Sequence, residues 1–133
     1  MVVNAEGRDT RDFKPEGWPT VITRIVVPDA EEFVEFVKSV FQATGQYHPD
    51  RPAVLNIGGS LLMISDAGIR ERATAFLYVY VTNTDETYKR ALQAGARSLE
   101  EPRDLPYGDR RGMVEDRWGN IWQIATYFGT GPK

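Results

Sequence analysis

Val27-Pro28-Asp29-Ala30-Glu31-Glu32-Phe33 and Val81-Thr82-Asn83-Thr84-Asp85-Glu86-Thr87 are the two stretches on which the fold turns. Each closes a β-rich run, then offers a helix-capping residue with a glutamate three positions on, the capping-box pattern. The capping residues lie 83 − 29 = 54 apart. Behind the first, Phe33, Phe36, Val37, Val40 and Phe41 fall at the spacing of an amphipathic helix. Behind the second, Tyr88, Ala91 and Leu92 give a buried stripe that Gly95 stops.

Working outward, the strands before the helices match at the same offset, Ile25 with Val79 and Val27 with Val81. The terminal strands match at 119 − 59 = 60, Gly59-Ser60-Leu61-Leu62-Met63-Ile64 against Gly119-Asn120-Ile121-Trp122-Gln123-Ile124. The order predicted is a strand over Val21–Val27, a helix, and a hairpin of Ala53–Ile57 and Leu61–Ser65 around Gly58-Gly59. A polar connection over 66–73 follows. Then come a strand over Phe76–Val81, a helix capped by Asn83, a short strand over Ala96–Leu99 and a turn-rich loop from Pro102 through Asp109. The last strands are Gly112–Glu115 and Asn120–Tyr127. The fold class expected is α+β, as two tandem βαβββ modules (about 18–66 and 73–128) in one domain over 18–128. Residues 1–17 are expected to be a flexible arm and 129–133 a tail.

The chain has 133 residues, 41% hydrophobic and 26% charged, which is ordinary for one globular domain. A net charge of −3 argues against a nucleic-acid partner and against a polybasic membrane anchor. No apolar run reaches the roughly 20 residues that span a bilayer. Arg8, Asp9, Arg11, Asp12 and Lys14 leave no secretory signal pattern, so the expected location is the cytoplasm. The absence of cysteine excludes thiol catalysis, disulfides and Cys-zinc sites. The single histidine, His48, leaves no multi-histidine metal site, and it is read as a solvated loop residue.

Several segments carry a family resemblance: Gly17-Trp18-Pro19-Thr20, Ala94-Gly95-Ala96, Pro106-Tyr107-Gly108-Asp109-Arg110, and Asp116-Arg117-Trp118-Gly119-Asn120 with Trp122. Together with the repeat, over about residues 18–128, they resemble the vicinal oxygen chelate superfamily of glyoxalase I, extradiol dioxygenases, fosfomycin-resistance enzymes and bleomycin-resistance proteins. The set is most similar to its bacterial branch of phosphonate-metabolism-B-like and bleomycin-resistance-like proteins. Arg117 departs from the proline common in that turn. The resemblance implies curved mixed sheets around a cavity, frequent dimerisation, and a divalent metal held by the first and last strands of each module. Its four ligand slots fall here on Ile22, Met63, Phe76 and Gln123. None offers the carboxylate or imidazole that a hard cation takes, so no metal and no cofactor is expected.

Strand alternation then distributes the cavity wall. Ile22, Arg24 and Val26 share the former metal face of the first strand. Phe76, Tyr78 and Tyr80 share that of the later strand, with Phe76 expected deepest. Ile121, Gln123 and Ala125 share it on the last strand, while Trp122 and Ile124 turn to the core. The candidate ligand-binding residues are Arg24, Met63, Phe76, Tyr78, Tyr80, Tyr107, Arg110, Trp118 and Gln123. Each has an alternative reading. The aromatics can be packing. Arg24 can be an exposed edge residue. Arg110 can pin its turn to Asp116 or Glu115 instead of gating the cavity. Trp118 can be a rim aromatic or a dimer contact. No carboxylate is placed on the inner face.

The function these residues favour is metal-free binding or sequestration of a small aromatic or antibiotic-like molecule by a homodimer, with no catalytic residue assigned. The alternatives are a metal-dependent lyase, isomerase or dioxygenase, a metal-free enzyme polarising a carbonyl through Tyr78, Tyr80, Arg24 or Gln123, and a dimeric module without ligand. Whether the chain is an enzyme at all stays open at this point.

Overall fold

The apolar stripe at 33, 34, 37 and 40 forms the buried face of a helix, α1 (Ala30–Phe41), around which both halves of the chain assemble. The structure, a computed structural model, describes Ala5 and residues 13–68 and 70–129. Most of the expected N-terminal arm and of the tail lies outside the described residues.

The first module is β1 (Thr23–Val27), α1, β2 (Ala53–Ile57) and β3 (Ser60–Asp66). The second is β4 (Phe76–Tyr80), α2 (Thr84–Gln93), β5 (Arg97–Asp104), β6 (Asp109–Glu115) and β7 (Ile121–Tyr127). The sheets run β1-β3-β2 and β4-β7-β6-β5. Each is mixed. Parallel pairing sets Arg24 opposite Met63 in one and Tyr78 opposite Gln123 in the other. Since 24 + 54 = 78 and 63 + 60 = 123, both offsets of the internal repeat reappear as strand register. The architecture is the α+β fold expected, with one difference in detail. The first sheet has three strands. Where Arg97 begins β5 against Glu115, Thr44 makes a single bridge to Asn56.

One core joins the modules. Ile25 and Val27 of β1, Leu55 of β2 and Ile64 of β3 bury against α1, with Trp122 and Ile124 of β7 in the same cluster. The Phe41 and Trp122 rings lie 4.5 Å apart between centroids. The helices are tied through Arg90 of α2, whose Nε and Nη2 donate to the carbonyl of Val40 at 3.2 and 2.9 Å. A cation on the last carbonyls of α1 also complements the helix dipole.

Three local expectations are corrected. Asp29 does not cap α1: it is left-handed, at φ 54, and makes no side-chain cap bond. Asp66, at the end of β3, supplies the cap from a distance, its Oδ1 accepting from Ala30 N at 3.1 Å. Asn83 does cap α2, accepting from Glu86 N at 3.1 Å. Its stripe shifts, however: Thr84, Thr87 and Ala91 are buried, with Tyr88 and Leu92 half-buried. Lastly, the expected loop from Pro102 is largely strand. β5 runs through Pro102 to Asp104, and β6 starts at Asp109. β5 lies at the sheet edge and carries register shifts on both sides of Glu100, where a missing N–H breaks no ladder.

Candidate functional site

β4 has two unlike faces because its sequence alternates aromatic and aliphatic. Leu77 and Val79 turn to the core, while Phe76, Tyr78 and Tyr80 are 66%, 38% and 55% exposed. The sheet continues this outer face through Gln123 on β7 and Met113 on β6, which lie in one register row with Tyr78. The expected division of faces is therefore present. The expected depth is reversed, since Phe76 is the most exposed of the three: the face is open in the single chain. Along the β4 edge a pocket of about 380 Å³ separates the two sheets, lined by Tyr78, Tyr80 and Trp122 on one side and Thr23, Ile57 and Leu62 on the other.

The tyrosine hydroxyls are fixed from behind. Tyr78 and Tyr80 both donate to Oδ2 of Asp109, at 2.6 and 2.9 Å, and Asp109 is completely buried. The Tyr107 hydroxyl lies 3.3 Å from that of Tyr78 and accepts from Arg111 Nη1 at 3.4 Å. Arg111 Nη2 donates to Glu100 at 3.0 Å. Burial, then the hydrogen bonds to Asp109 and Tyr107, push the Tyr78 phenol well above the ordinary tyrosine range. Tyr78 therefore keeps its proton. The arrangement presents ring faces in fixed orientations, the Tyr78 and Tyr80 rings 5.5 Å apart and tilted by 54°. That suits π-contact with a flat molecule.

Asp109 is the residue that sequence reasoning missed. Read as part of a Gly108-Asp109 turn, it left the inner face without a carboxylate. The structure overturns that expectation. Positions 109, 111 and 113 alternate onto the face of Gln123 once β6 is extended to its true start.

The other sequence-predicted residues divide. Tyr107 joins the tyrosine cluster and Gln123 faces Tyr78. Arg110 does not gate the site: it points to the opposite side, donating to Asp85 at 2.8 and 3.0 Å and to Asp104 at 3.2 Å. Its pinning partners are these two acids, not Asp116 or Glu115, and its guanidinium holds the Asp85 carboxyl below the usual range. Trp118 is neither rim nor surface contact. It is 5% exposed, its edge against Phe33 at 5.1 Å and Phe36 at 5.7 Å. Arg117, in the place of a turn proline, stacks over Trp118 at 4.3 Å and pairs with Glu32. Arg24 and Met63 lie on the first sheet as register partners, and Arg24 lines a pocket that none of the tyrosines of β4 reaches.

The metal question is one of fit. Met63 and Gln123 take corresponding places in the two sheets, and the four positions that the resemblance makes ligand slots hold Ile22, Met63, Phe76 and Gln123. Two hydrocarbons, a thioether and an amide do not fit a hard divalent cation. Among the described residues no three His, Cys, Asp or Glu side chains gather as a metal site elsewhere. No helix among the described residues is long and apolar enough to cross a membrane.

Comparison with known proteins agrees with the architecture. An uncharacterized protein of Mycobacterium bovis is 28% identical, the match covering 80% of this chain and 82% of that one. TioX from Micromonospora sp. ML1 superposes with a TM-score of 0.69 at 23% identity, over 83% of this chain and 99% of its own. The fosfomycin resistance protein FosX from Mesorhizobium loti gives 0.63 at 20% identity, over 84% and 93%. A family model described as Glyoxalase/Bleomycin resistance protein/Dioxygenase superfamily matches residues 20–124. With its two mixed-sheet modules and their repeated parallel register, the chain belongs to that superfamily.

Proposed function

We infer that this protein binds a small, flat, partly apolar organic molecule on the aromatic face of its second module, without a metal. The observation that carries the reading is the exposure of Phe76, Tyr78 and Tyr80 on a strand whose other face, Leu77 and Val79, packs partly buried against the core. Had these rings been core packing, they would be buried with Trp122. A row of rings left open to solvent, two of them oriented by a buried carboxylate, is a recognition surface. One superfamily member of this fold is named for resistance to the antibiotic fosfomycin, and an antibiotic-like ligand is within the class proposed here.

Phe76 gives the cleanest test, since it is the most exposed of the three rings and has no hydroxyl to lose. Phe76→Ala is expected to change unfolding stability by about 0.5 kcal/mol or less, as for surface substitutions generally. In fluorescence titrations with 1-naphthol and acridine, the same variant should bind about tenfold more weakly than the wild type, as for loss of one aromatic contact. A wild type that binds neither probe saturably would end this reading.

The same face is proposed to be covered by a second copy, so that the ligand lies between two chains. Phe76, Tyr78, Tyr80 and Tyr127 are too many exposed rings for a small monomer's free surface. Sedimentation at micromolar concentration is expected to give a mass near twice 15.0 kDa. A monomer at that concentration would remove the shared site while leaving each chain its own open face.

A further inference from the structure

We propose that the first module carries a separate binding site for an oxyanion, a carboxylate or phosphate group, formed by Arg24, Arg51 and Arg70. Ten arginines lie among the described residues. Six of them, Arg90, Arg97, Arg103, Arg110, Arg111 and Arg117, pair with a carboxylate. Arg72 donates to the carbonyl of Trp118. The three that have no acid partner among the described residues come from three separate segments: β1, the α1–β2 connection and the β3–β4 connection. All three line one pocket of about 280 Å³. Scattered solvated arginines would not converge in this way.

The pocket's own carboxylates do not neutralise them. Both oxygens of Asp66 are engaged, Oδ1 by Ala30 N at 3.1 Å and Oδ2 by the Tyr47 hydroxyl at 2.5 Å. Asp50 also lines the pocket and forms no ion pair among the described residues, so three guanidinium groups face two carboxylates and one positive charge is left over. Arg24 is oriented, its Nε and Nη2 donating to Ser65 Oγ at 3.2 and 2.9 Å. Ser65 accepts in both bonds, so its hydroxyl proton is left to donate to a ligand. His48 Nε2 lies 3.4 Å from Arg51 Nη2 and lines the same wall, a more structured place than the solvated loop expected for it. Guanidinium forks that lack an internal acid match the planar, bidentate geometry of a carboxylate or phosphate.

The proposal is independent of the aromatic face and is tested separately. Wild-type protein is titrated calorimetrically at low ionic strength with inorganic phosphate and, in a second arm, with acetate. Saturable binding of at least one is expected, and the tighter of the two identifies the oxyanion class. Arg51→Gln and Arg70→Gln should each weaken it about tenfold, the scale of a lost charge-assisted hydrogen bond. Both side chains are exposed, so urea unfolding of the variants should match the wild type. Arg97→Gln removes the same charge from the other sheet and should leave affinity unchanged. No saturable binding of either anion would overturn the proposal. So would equal weakening by Arg97→Gln, which would mark a net-charge effect.

Discussion

Replacing Asp116 with alanine is expected to remove about 4 kcal/mol of stability, a large share of the 5–15 kcal/mol typical of a domain. Asp116 is 4% exposed and sits in the turn between β6 and β7. Its Oδ1 accepts from the backbone N–H of Trp118 at 3.0 Å and of Asn120 at 2.9 Å. Its Oδ2 accepts from Asn120 Nδ2 at 3.1 Å and from the Trp122 indole at 2.8 Å. Alanine strands these donors in the core, at about 1–3 kcal/mol for each left unpaired, with less than full additivity because they share one acceptor group. Asp116→Asn keeps one acceptor oxygen and should lose about half as much. Urea unfolding followed by tryptophan emission measures both, with Trp118 and Trp122 reporting on the affected region directly. A loss below about 1 kcal/mol for the alanine variant would mean the carboxylate does not hold the turn. The network also explains why arginine is tolerated at 117: the turn is closed by its first residue and does not need proline's fixed φ.

Gly45→Ala is the second large effect expected, about 3 kcal/mol or more. Gly45 has φ +128, and a Cβ there would lie 2.5 Å from the carbonyl oxygen of Val54 and 2.7 Å from Leu55 Cδ2. The first is backbone in β2 and cannot rotate away. Retreat of Gly45 would break the bridge in which Thr44 and Asn56 exchange hydrogen bonds at 3.0 and 2.9 Å. Gly95→Ala serves as the control. Gly95 is also left-handed, at φ +102, but a Cβ there meets nothing within 4 Å. It should cost only the backbone strain, about 1–2 kcal/mol. The difference between the two variants isolates the close approach, and equal losses would show that β2 yields. Because Gly45 opens the segment bearing His48 and Arg51, Gly45→Ala should also weaken oxyanion binding in the first module.

Whatever depends on spacing along one strand or helix was legible in the order of residues. The offsets of 54 and 60 between the halves became the parallel registers Arg24–Met63 and Tyr78–Gln123, because strand pairing preserves residue order. The alternation of Phe76, Tyr78 and Tyr80 with Leu77 and Val79 became two faces of β4, because successive side chains point to opposite sides. The stripe from Phe33 to Phe41 became the buried face of α1 for the equivalent helical reason. What depends on which distant segments meet came from the packing of the folded chain. Asp29 looks like a cap, yet the cap of α1 comes from Asp66, 36 residues beyond Ala30, because the end of β3 lies beside the helix N-terminus. Trp118 lies in the turn between β6 and β7, and α1 supplies Phe33 and Phe36 to cover it. Asp109 has the local chemistry of a turn residue, and only the strand order β4-β7-β6 brings its carboxylate across β7 to two tyrosines. Arg24 and Tyr78 occupy equivalent repeat positions. The folded chain nonetheless places them on separate sheets, so one module presents rings and the other guanidinium groups.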